Sequence, residues 1–462
     1  MAAAATGERG HEPGHDGDPQ RRTAMSAPRR VDVAIVGGGQ AGLALSWCLS
    51  RDGVDHVVLE AGTACHTWSD ARWDSFTLVT PNWHCRLPGF AYDGEDPDGF
   101  MTREQVVAWL ARYRASFDPP LLEGHRVRGL RPGDPGAGEQ GFRFTVDGPD
   151  GEREWQAREV VVATGGYQHP VIPGWAAGLD PSVTQLHSAL YRNPDQLPEG
   201  GVLVVGTGQS GAQIAEDLHL AGRSVHLAVG KAPRVARRHR GRDVMTWLAE
   251  MGLYDIPVAA YPGGPAAREK TNHYVTGRDG GRDIDLRRFA AEGMHLYGTL
   301  TGLVDGAGTR VGFAPTLRAH LDAADDVYRS ICRDIDAHIL RQGVDAPPAP
   351  PYEPVWEPAE EPCQLDLVAA GVTSVVWAIG FRPDYSWIGA SVFDGAGRPV
   401  HVRGVTTVPG LSFLGLPWQH TWGSGRFLGI AADAEHLTAT VGARLRAGRR
   451  TGGPLASVIL AG

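Results

Sequence analysis

Apolar and polar positions change period several times along this chain, and the changes mark its elements. VDVAIV, residues 31–36, is a short apolar run that ends at Gly37, Gly39 and Gly42. QAGLALSWCLSR then repeats apolar positions three and four apart, and HVVL is again continuous and apolar. Strand, glycine turn, amphipathic helix and strand make one βαβ unit. The succession recurs from Val202, where VLVV runs into Gly206, Gly208 and Gly211, a helical pattern follows, and SVHLAV ends near Gly230. Between the two units, TREQVVAWLARYRASF reads as a helix with Thr102 and Gln105 in capping-box spacing. FRFTV and EVVVAT read as short alternating strands.

Further along, Leu317, Leu321, Ala324, Tyr328, Ile331, Ile335 and Ile339 share one stripe of a long helix. Residues 346–362 hold seven prolines in seventeen positions and read as a stiff connector. Strand patterns return in VTSVVWAIGF and GLSFLGL, and DAEHLTATVGARLRAG closes as a helix beginning near Asp433. Residues 1–30 show no apolar period and read as a disordered tail, in which His11 and His15 are incidental and Met25 is an alternative start.

At 462 residues the chain has room for two or three domains. Its 44 basic and 53 acidic residues give a net charge of −9, which offers no overall attraction to nucleic acid or an anionic membrane. Small diffusible ligands are the expected partners, with monomer and homodimer both open. No apolar run approaches the roughly 20 residues of a membrane span, and no secretory signal pattern stands at the N-terminus, so a cytoplasmic location is expected. Five cysteines, Cys48, Cys65, Cys85, Cys332 and Cys363, include no CxxC pair and no zinc spacing. That argues against a disulfide framework, a metal knuckle and dithiol exchange.

The two glycine turns carry the chemistry. In each, the first glycine makes the tight turn, the second lets backbone approach a pyrophosphate, and the third allows close packing of helix on strand. The helix N-terminus adds positive potential and free N–H groups. Glu60, about twenty residues beyond the first turn, is placed to accept hydrogen bonds from an adenosine ribose. The second turn adds Gln209 and Ser210, which can reach phosphate oxygens. No acid ends its second strand; Lys231, Arg234, Arg237 and Arg238 follow instead. Basic residues there suit the 2′-phosphate of NADPH, unless the run is only a solvated loop. Two dinucleotide sites of different ribose chemistry suggest FAD paired with NADPH, since hydride passes directly between stacked flavin and nicotinamide rings.

With these motifs, the chain resembles the flavin-containing monooxygenase family, in the soluble bacterial branch related to plant auxin-forming enzymes. The likeness covers about 31–245 and 365–440. It rests on the first fingerprint, RWDSFTLVTP after Trp68, FMTREQVVAWLARY, VVATGGYQHPVIPG, HSALY, the second fingerprint and WAIGFRPDYSW. The resemblance implies an α/β fold of two nested Rossmann-like domains. The FAD-binding domain is discontinuous, 31–170 and 363–445; an NADPH-binding domain spans 171–345, with a partly helical insert from about 243; and 346–362 connects them. It further implies that Trp68 and the backbone near Val127 lie along the FAD, and that Ala163, Thr164 and Gly165 cross between domains.

The implied reaction reduces FAD with NADPH, adds O2 to the reduced ring as a peroxide, and passes one oxygen to a small nitrogen, sulfur or carbonyl compound. A bacterial subgroup of this likeness, whose genes accompany a nitrilase, points toward nitrogen. The chain also departs from the family pattern. Only His187 survives of the FxGxxxH signature, because Pro181 and Val183 stand where Phe and Gly belong. Val79 occupies the place of an active-site Asn, with Thr80 and Asn82 as nearby polar substitutes. Electron transfer or oxidase activity without oxygen insertion, and a non-catalytic nucleotide sensor, are the rival readings.

PWQHTWGSGRFLG, 417–429, is the remaining suggestive stretch. If extended, it would set Trp418, His420 and Trp422 on one face as an aromatic wall. The helix beginning near Asp433 would then aim its positive end at reduced flavin, with a plain helix cap as the alternative. NHYVTGRDGGRD, 272–283, reads as a substrate-facing loop or a surface turn.

Overall fold

A computed structural model describes residues 27–134 and 140–451. The proposed N-terminal tail lies almost entirely outside the described residues. The βαβ pattern sorts into two parallel sheets. In the first, Arg29–Val36 sits between His56–Leu59 and the long strand Gly151–Val162, parallel to both. Leu121–Leu122 and Leu411–Phe413 extend the two sides in parallel. The strands are apolar on both faces because helices cover one face and an antiparallel layer the other. Phe142–Gly148 pairs along Gly151–Val162 and then with Arg126–Pro132. The helix Arg103–Ala115 forms with the full capping box at Thr102 and Gln105, and buries Val106, Trp109, Leu110 and Tyr113.

In the second sheet, Gly201–Val205 lies between Val225–Ala228 and Val372–Trp377, with Thr184–His187 and His295–Tyr297 at the edges, all parallel. This corrects one boundary. The run VTSVVW is a central strand of the second sheet, and Gln364–Asp366 pairs with Arg310–Phe313 on the same side, so the first domain does not resume at 363. A run buried on both faces reads alike in either sheet, so its pattern cannot say which sheet receives it. The chain crosses back where Phe381–Arg382 pairs antiparallel with His169–Pro170. Outbound and returning connectors therefore lie side by side. Gln168 ties them, donating to Thr164 Oγ1 at 2.9 Å and accepting from the Asp384 amide at 2.8 Å.

The long helix Leu317–Gln342 forms, and its stripe packs inward, with Leu317, Leu321, Ala324 and Ile335 buried. The proline connector has no regular structure and is docked rather than free. Tyr352 Oη donates to Asp285, and the Trp356 carbonyl accepts from Arg287. The C-terminal helix is Ile430–Thr451, so Asp433 lies inside its first turn rather than at its start.

Two of the basic residues expected at the nucleotide are core residues. Arg234 is 2% exposed, lies 3.2 Å from Asp285 and 3.1 Å from Asp325, and has the Tyr328 and Tyr352 rings at 4.4 and 4.0 Å. Arg237 donates to Asp243 at 2.7 Å and to the Val79 carbonyl at 2.7 Å. Both guanidiniums are committed to interior partners, which corrects their assignment to the 2′-phosphate. Arg234→Ala leaves Asp285 without its buried counter-charge and Asp325 with Arg287 alone. It should lower unfolding stability by about 3–5 kcal/mol, read from the urea midpoint at unchanged m-value.

Candidate active site between two dinucleotide cradles

Both glycine turns have the shape a pyrophosphate requires. At Gly37, φ is +111°, and a Cβ would lie 2.5 Å from the Ala163 carbonyl oxygen; Gly206, at +99°, stands in the same relation to Ala378. At Gly42 and Gly211 a Cβ would fall 1.9 Å from the carbonyl oxygen of the turn glycine, so helix and turn touch backbone to backbone. Gly39 and Gly208 instead face open space, with nothing within 4 Å of a Cβ. No side chain caps Gln40–Arg51 or Gln209–Leu220, whereas Thr102, Asp243 and Asp285 cap their helices. Helix N-termini left uncapped beside open space fit the phosphates of two dinucleotides.

Glu60 ends the strand beside the first cradle. Its Oε2 accepts from the Gly38 amide at 2.7 Å and its Oε1 from the Gly62 amide at 2.8 Å. A carboxylate has about four acceptor positions, so ribose hydroxyls can share it. Trp68 donates to Gln40 at 2.9 Å and stacks on Phe427 at 5.2 Å; Gln40 in turn donates to the Gly425 carbonyl. This chain links the first turn to the C-terminal loop. Val127 is an interior strand residue opposite Val146. Ala163 continues the strand, its amide donating to the Val36 carbonyl, and Gly165 turns at φ +68° toward the crossing.

At the second cradle, Ser210 lies in the first turn of the helix. The Gln209 amide is already engaged, reaching the Val275 carbonyl at 2.5 Å and so holding the insert loop. Lys231 is exposed at the end of its strand.

The residues expected to act on substrate are distributed differently. Asn82 is buried with both ends of its amide in use, accepting from the Met101 amide at 2.7 Å and donating to the Asp96 carbonyl at 2.9 Å. It clasps a loop. Thr80 is partly exposed beside Val79. His187 sits at the domain crossing, donating from Nε2 to the Gly380 carbonyl and accepting the Ala189 amide at Nδ1. Those bonds occupy both ring nitrogens, so His187 serves the connection.

The aromatic wall over 418–422 does not form. The segment turns rather than extends, with Trp418 at φ +52°, and the two indoles diverge. Trp418 packs on Tyr261 at 4.6 Å and Trp422 stacks on Tyr254 at 4.4 Å, so each meets a different tyrosine of the insert. The His420 amide donates to Ser424 Oγ at 2.9 Å, and burial beside Arg403 lowers the imidazole pKa. Asp433 is buried, hydrogen-bonds Ser424 and keeps Oδ2 unpartnered; burial pushes its pKa up to about 6.

Residues 272–283 are neither a plain surface turn nor a free loop. Tyr274, Val275 and Thr276 are buried, and Gly277 presses on the Leu78 carbonyl and the Phe100 ring of the first domain. The sequence reading missed Asp217, which accepts from Ser75, Tyr191 and Arg278 at 2.6–2.7 Å. The available signal was a pair of acids, Glu216 and Asp217, in a helix with no other carboxylate and no lysine or arginine.

The sequence pattern of the pyridine nucleotide-disulphide oxidoreductase family matches residues 34–251. A CzcO-like oxidoreductase of Geobacillus kaustophilus is 32% identical over 410 residues, 88% of this chain and 97% of that one. Indole-3-pyruvate monooxygenase YUCCA6 of Arabidopsis thaliana is 31% identical over 46% of this chain and 52% of its own. A mutant flavin monooxygenase from Stenotrophomonas maltophilia superposes with TM-score 0.60 at 21% identity, covering 90% of this chain and 99% of that one. The chain is an oxidoreductase with the fold of the flavin monooxygenases. It belongs, more narrowly, with the CzcO-like oxidoreductases. Despite the disulphide in the matched family's title, all five cysteines are free, and burial raises Cys48, Cys65 and Cys85 to about 12, far from a reactive thiolate.

Glu216 supplies a pH test. It is 2% exposed, Arg282 approaches only to 3.4 Å, and burial raises its carboxyl to about 7. A carboxyl raised in the folded state stabilises fully below its unfolded pKa, and that contribution is lost as pH climbs through the folded value. Stability should therefore fall between pH ~4.5 and ~7, by on the order of 3 kcal/mol from this group. Glu216→Gln should flatten that part of a Tm-against-pH curve.

Proposed function

We propose that this chain is an NADPH-dependent FAD monooxygenase that inserts one atom of O2 into a small substrate. The observation that carries the reading is an apolar, aromatic cluster packed over the Val79 loop, which we take as the wall of the substrate cleft. The insert's Tyr254, Val275 and Met245 share one apolar cluster with Val79 of the first domain and with Trp422 and Leu428 of the C-terminal loop. When bound, FAD supplies hydride acceptance from NADPH and the reaction with O2. The chain's own residues hold the two nucleotides at the two helix N-termini and wall the reacting rings from water. Glu60 holds the FAD ribose, and Trp68 with Gln40 fixes the turn beneath it. The monooxygenases among the related proteins support oxygenation, and electron transfer without oxygen insertion is the alternative.

The holoenzyme should bleach when mixed anaerobically with NADPH. On admitting O2, a long-lived near-ultraviolet band before the oxidised spectrum returns is the expected result. Immediate reoxidation with stoichiometric hydrogen peroxide would favour the alternative, and absence of bleaching would remove both. In this reading the 2′-phosphate of NADPH falls to Lys231, the exposed cation at the strand end. Lys231→Ala should raise KM for NADPH about ten-fold, the equivalent of ~1.4 kcal/mol, with KM for NADH unchanged. Equal effects on both nucleotides would send the 2′-phosphate elsewhere.

A further inference from the structure

His84 has no place in the roles above, and its surroundings are unusual for a buried histidine. Its side chain is 1% exposed, and neither Nδ1 nor Nε2 has a hydrogen-bond partner. The other buried histidines use at least one nitrogen, and two use both: His56 reaches Ser46 and the Val54 carbonyl, and His187 reaches Gly380 and Ala189. A neutral imidazole carries one donor and one acceptor, and burying both unmade is costly unless something else completes them.

Three separate segments supply the walls. Trp83 meets the imidazole at 4.0 Å between ring centres, Tyr254 of the insert at 5.4 Å and Trp422 of the C-terminal loop at 6.5 Å, all edge-on. Tyr254 and Trp422 stack on each other and Arg426 covers the other face of Trp422, so the pair meets the histidine by its edges. Trp83, Trp422, Val79, Thr80 and His273 are all partly exposed, so this cluster borders an opening rather than sealed core.

The charges that act on His84 are all positive: Arg86 on its own segment, Arg237 from the second domain and Arg426 from the C-terminal loop. Burial, reinforced by these guanidiniums, pushes the imidazole down to about 3 and keeps it neutral. Arg237 is neutralised by Asp243, and Arg86 is exposed over Trp83. Arg426 donates to the Trp422 carbonyl and to Asn272 Oδ1, lies 4.2 Å over the Trp422 ring, and has no carboxylate within ion-pair distance among the described residues.

We propose that His84 is a specificity-determining residue of the substrate site, where an uncharged aromatic compound reaches the imidazole along the edges of Trp83, Tyr254 and Trp422 and hydrogen-bonds it, and from which protonated amines are excluded. Neutral imidazole can serve a donor or an acceptor on the ligand's edge. An ammonium group would enter a desolvated space already holding an uncompensated guanidinium, and like charges in low dielectric repel strongly. This selects against the protonated nitrogen compounds to which the gene-neighbour resemblance points.

The inference rests on reading the cleft as the oxygenation site, so its test avoids turnover. The oxidised holoenzyme, without NADPH, is titrated calorimetrically at pH 7 with benzamide, benzyl alcohol and benzylamine, which share one ring and differ at the polar edge. Benzamide and benzyl alcohol should bind at least about ten-fold more tightly than benzylamine. His84→Phe should weaken benzamide about ten-fold and leave benzylamine unchanged, while His84→Gln, which keeps a donor and an acceptor, should recover part of the loss. Benzylamine binding as tightly as benzamide, binding of none of the three, or wild-type benzamide affinity in His84→Phe would each overturn the proposal. The wild-type comparison holds even if a variant folds poorly. Because nothing is reduced or oxygenated, the outcome does not depend on whether oxygen insertion itself is confirmed.

Discussion

The relation of the two cradles depends on one buried carboxylate. Asp217 lies on the helix of the second fingerprint and is 5% exposed. Its donors come from three places: Ser75 from the aromatic loop of the first domain, Tyr191 from the segment just past the crossing, and Arg278 from the insert. A charge taken out of water is tolerated only when paired and hydrogen-bonded. The domain orientation that brings all three donors together is therefore the one in which this helix can be buried at all. Turning the domains apart would strip the carboxylate of Ser75, its donor from the first domain. The paired connectors at 169–170 and 381–382 limit the remaining freedom.

Arg237 acts in the same sense from the opposite side. Its guanidinium spans from Asp243 to the Val79 carbonyl, so the loop beneath the cleft is held by the second domain. A run of basic residues after a nucleotide-binding strand invites assignment to phosphate, and for an exposed residue such as Lys231 that logic stands. For Arg234 and Arg237 the interior chemistry wins. Each meets carboxylates at 2.7–3.2 Å and an aromatic face within 4.6 Å, partners a mobile phosphate could reach only by breaking a buried ion pair.

The two fingerprints were legible because backbone sterics dictate them: only glycine fits where a Cβ would meet carbonyl oxygen at 1.9 Å. The Thr102–Gln105 box and the long helix were equally readable, since capping and periodicity are local. What escaped was set by partners distant in sequence. VTSVVW carries no mark of the sheet it joins. The 418–422 segment alternates like a strand, yet its tryptophans are claimed one by one by Tyr261 and Tyr254, more than 150 residues away. His84 gave no signal at all, because an orphaned imidazole is a property of its surroundings and not of its neighbours in sequence.

These differences divide the molecule into parts with different tolerance for change. The cradles are made of backbone, and their contacts to phosphate depend little on side chains outside the glycines and Glu60. The cleft is made of side chains from an insert of short elements, the Val79–His84 loop and a turning C-terminal segment. Substitutions at Tyr254, Trp422 or His84 would therefore redraw what the cleft accepts while leaving both nucleotide sites intact, since none of these residues touches a glycine turn. Substitution at Asp217 would do the reverse. It would leave the cleft walls chemically unchanged and disturb how the two nucleotides meet. The two sets of residues are thus separable, and they meet where the insert loop at 274–278 touches both the Gln209 side chain and the Asp217 carboxylate and where Gln40 reaches the Gly425 carbonyl.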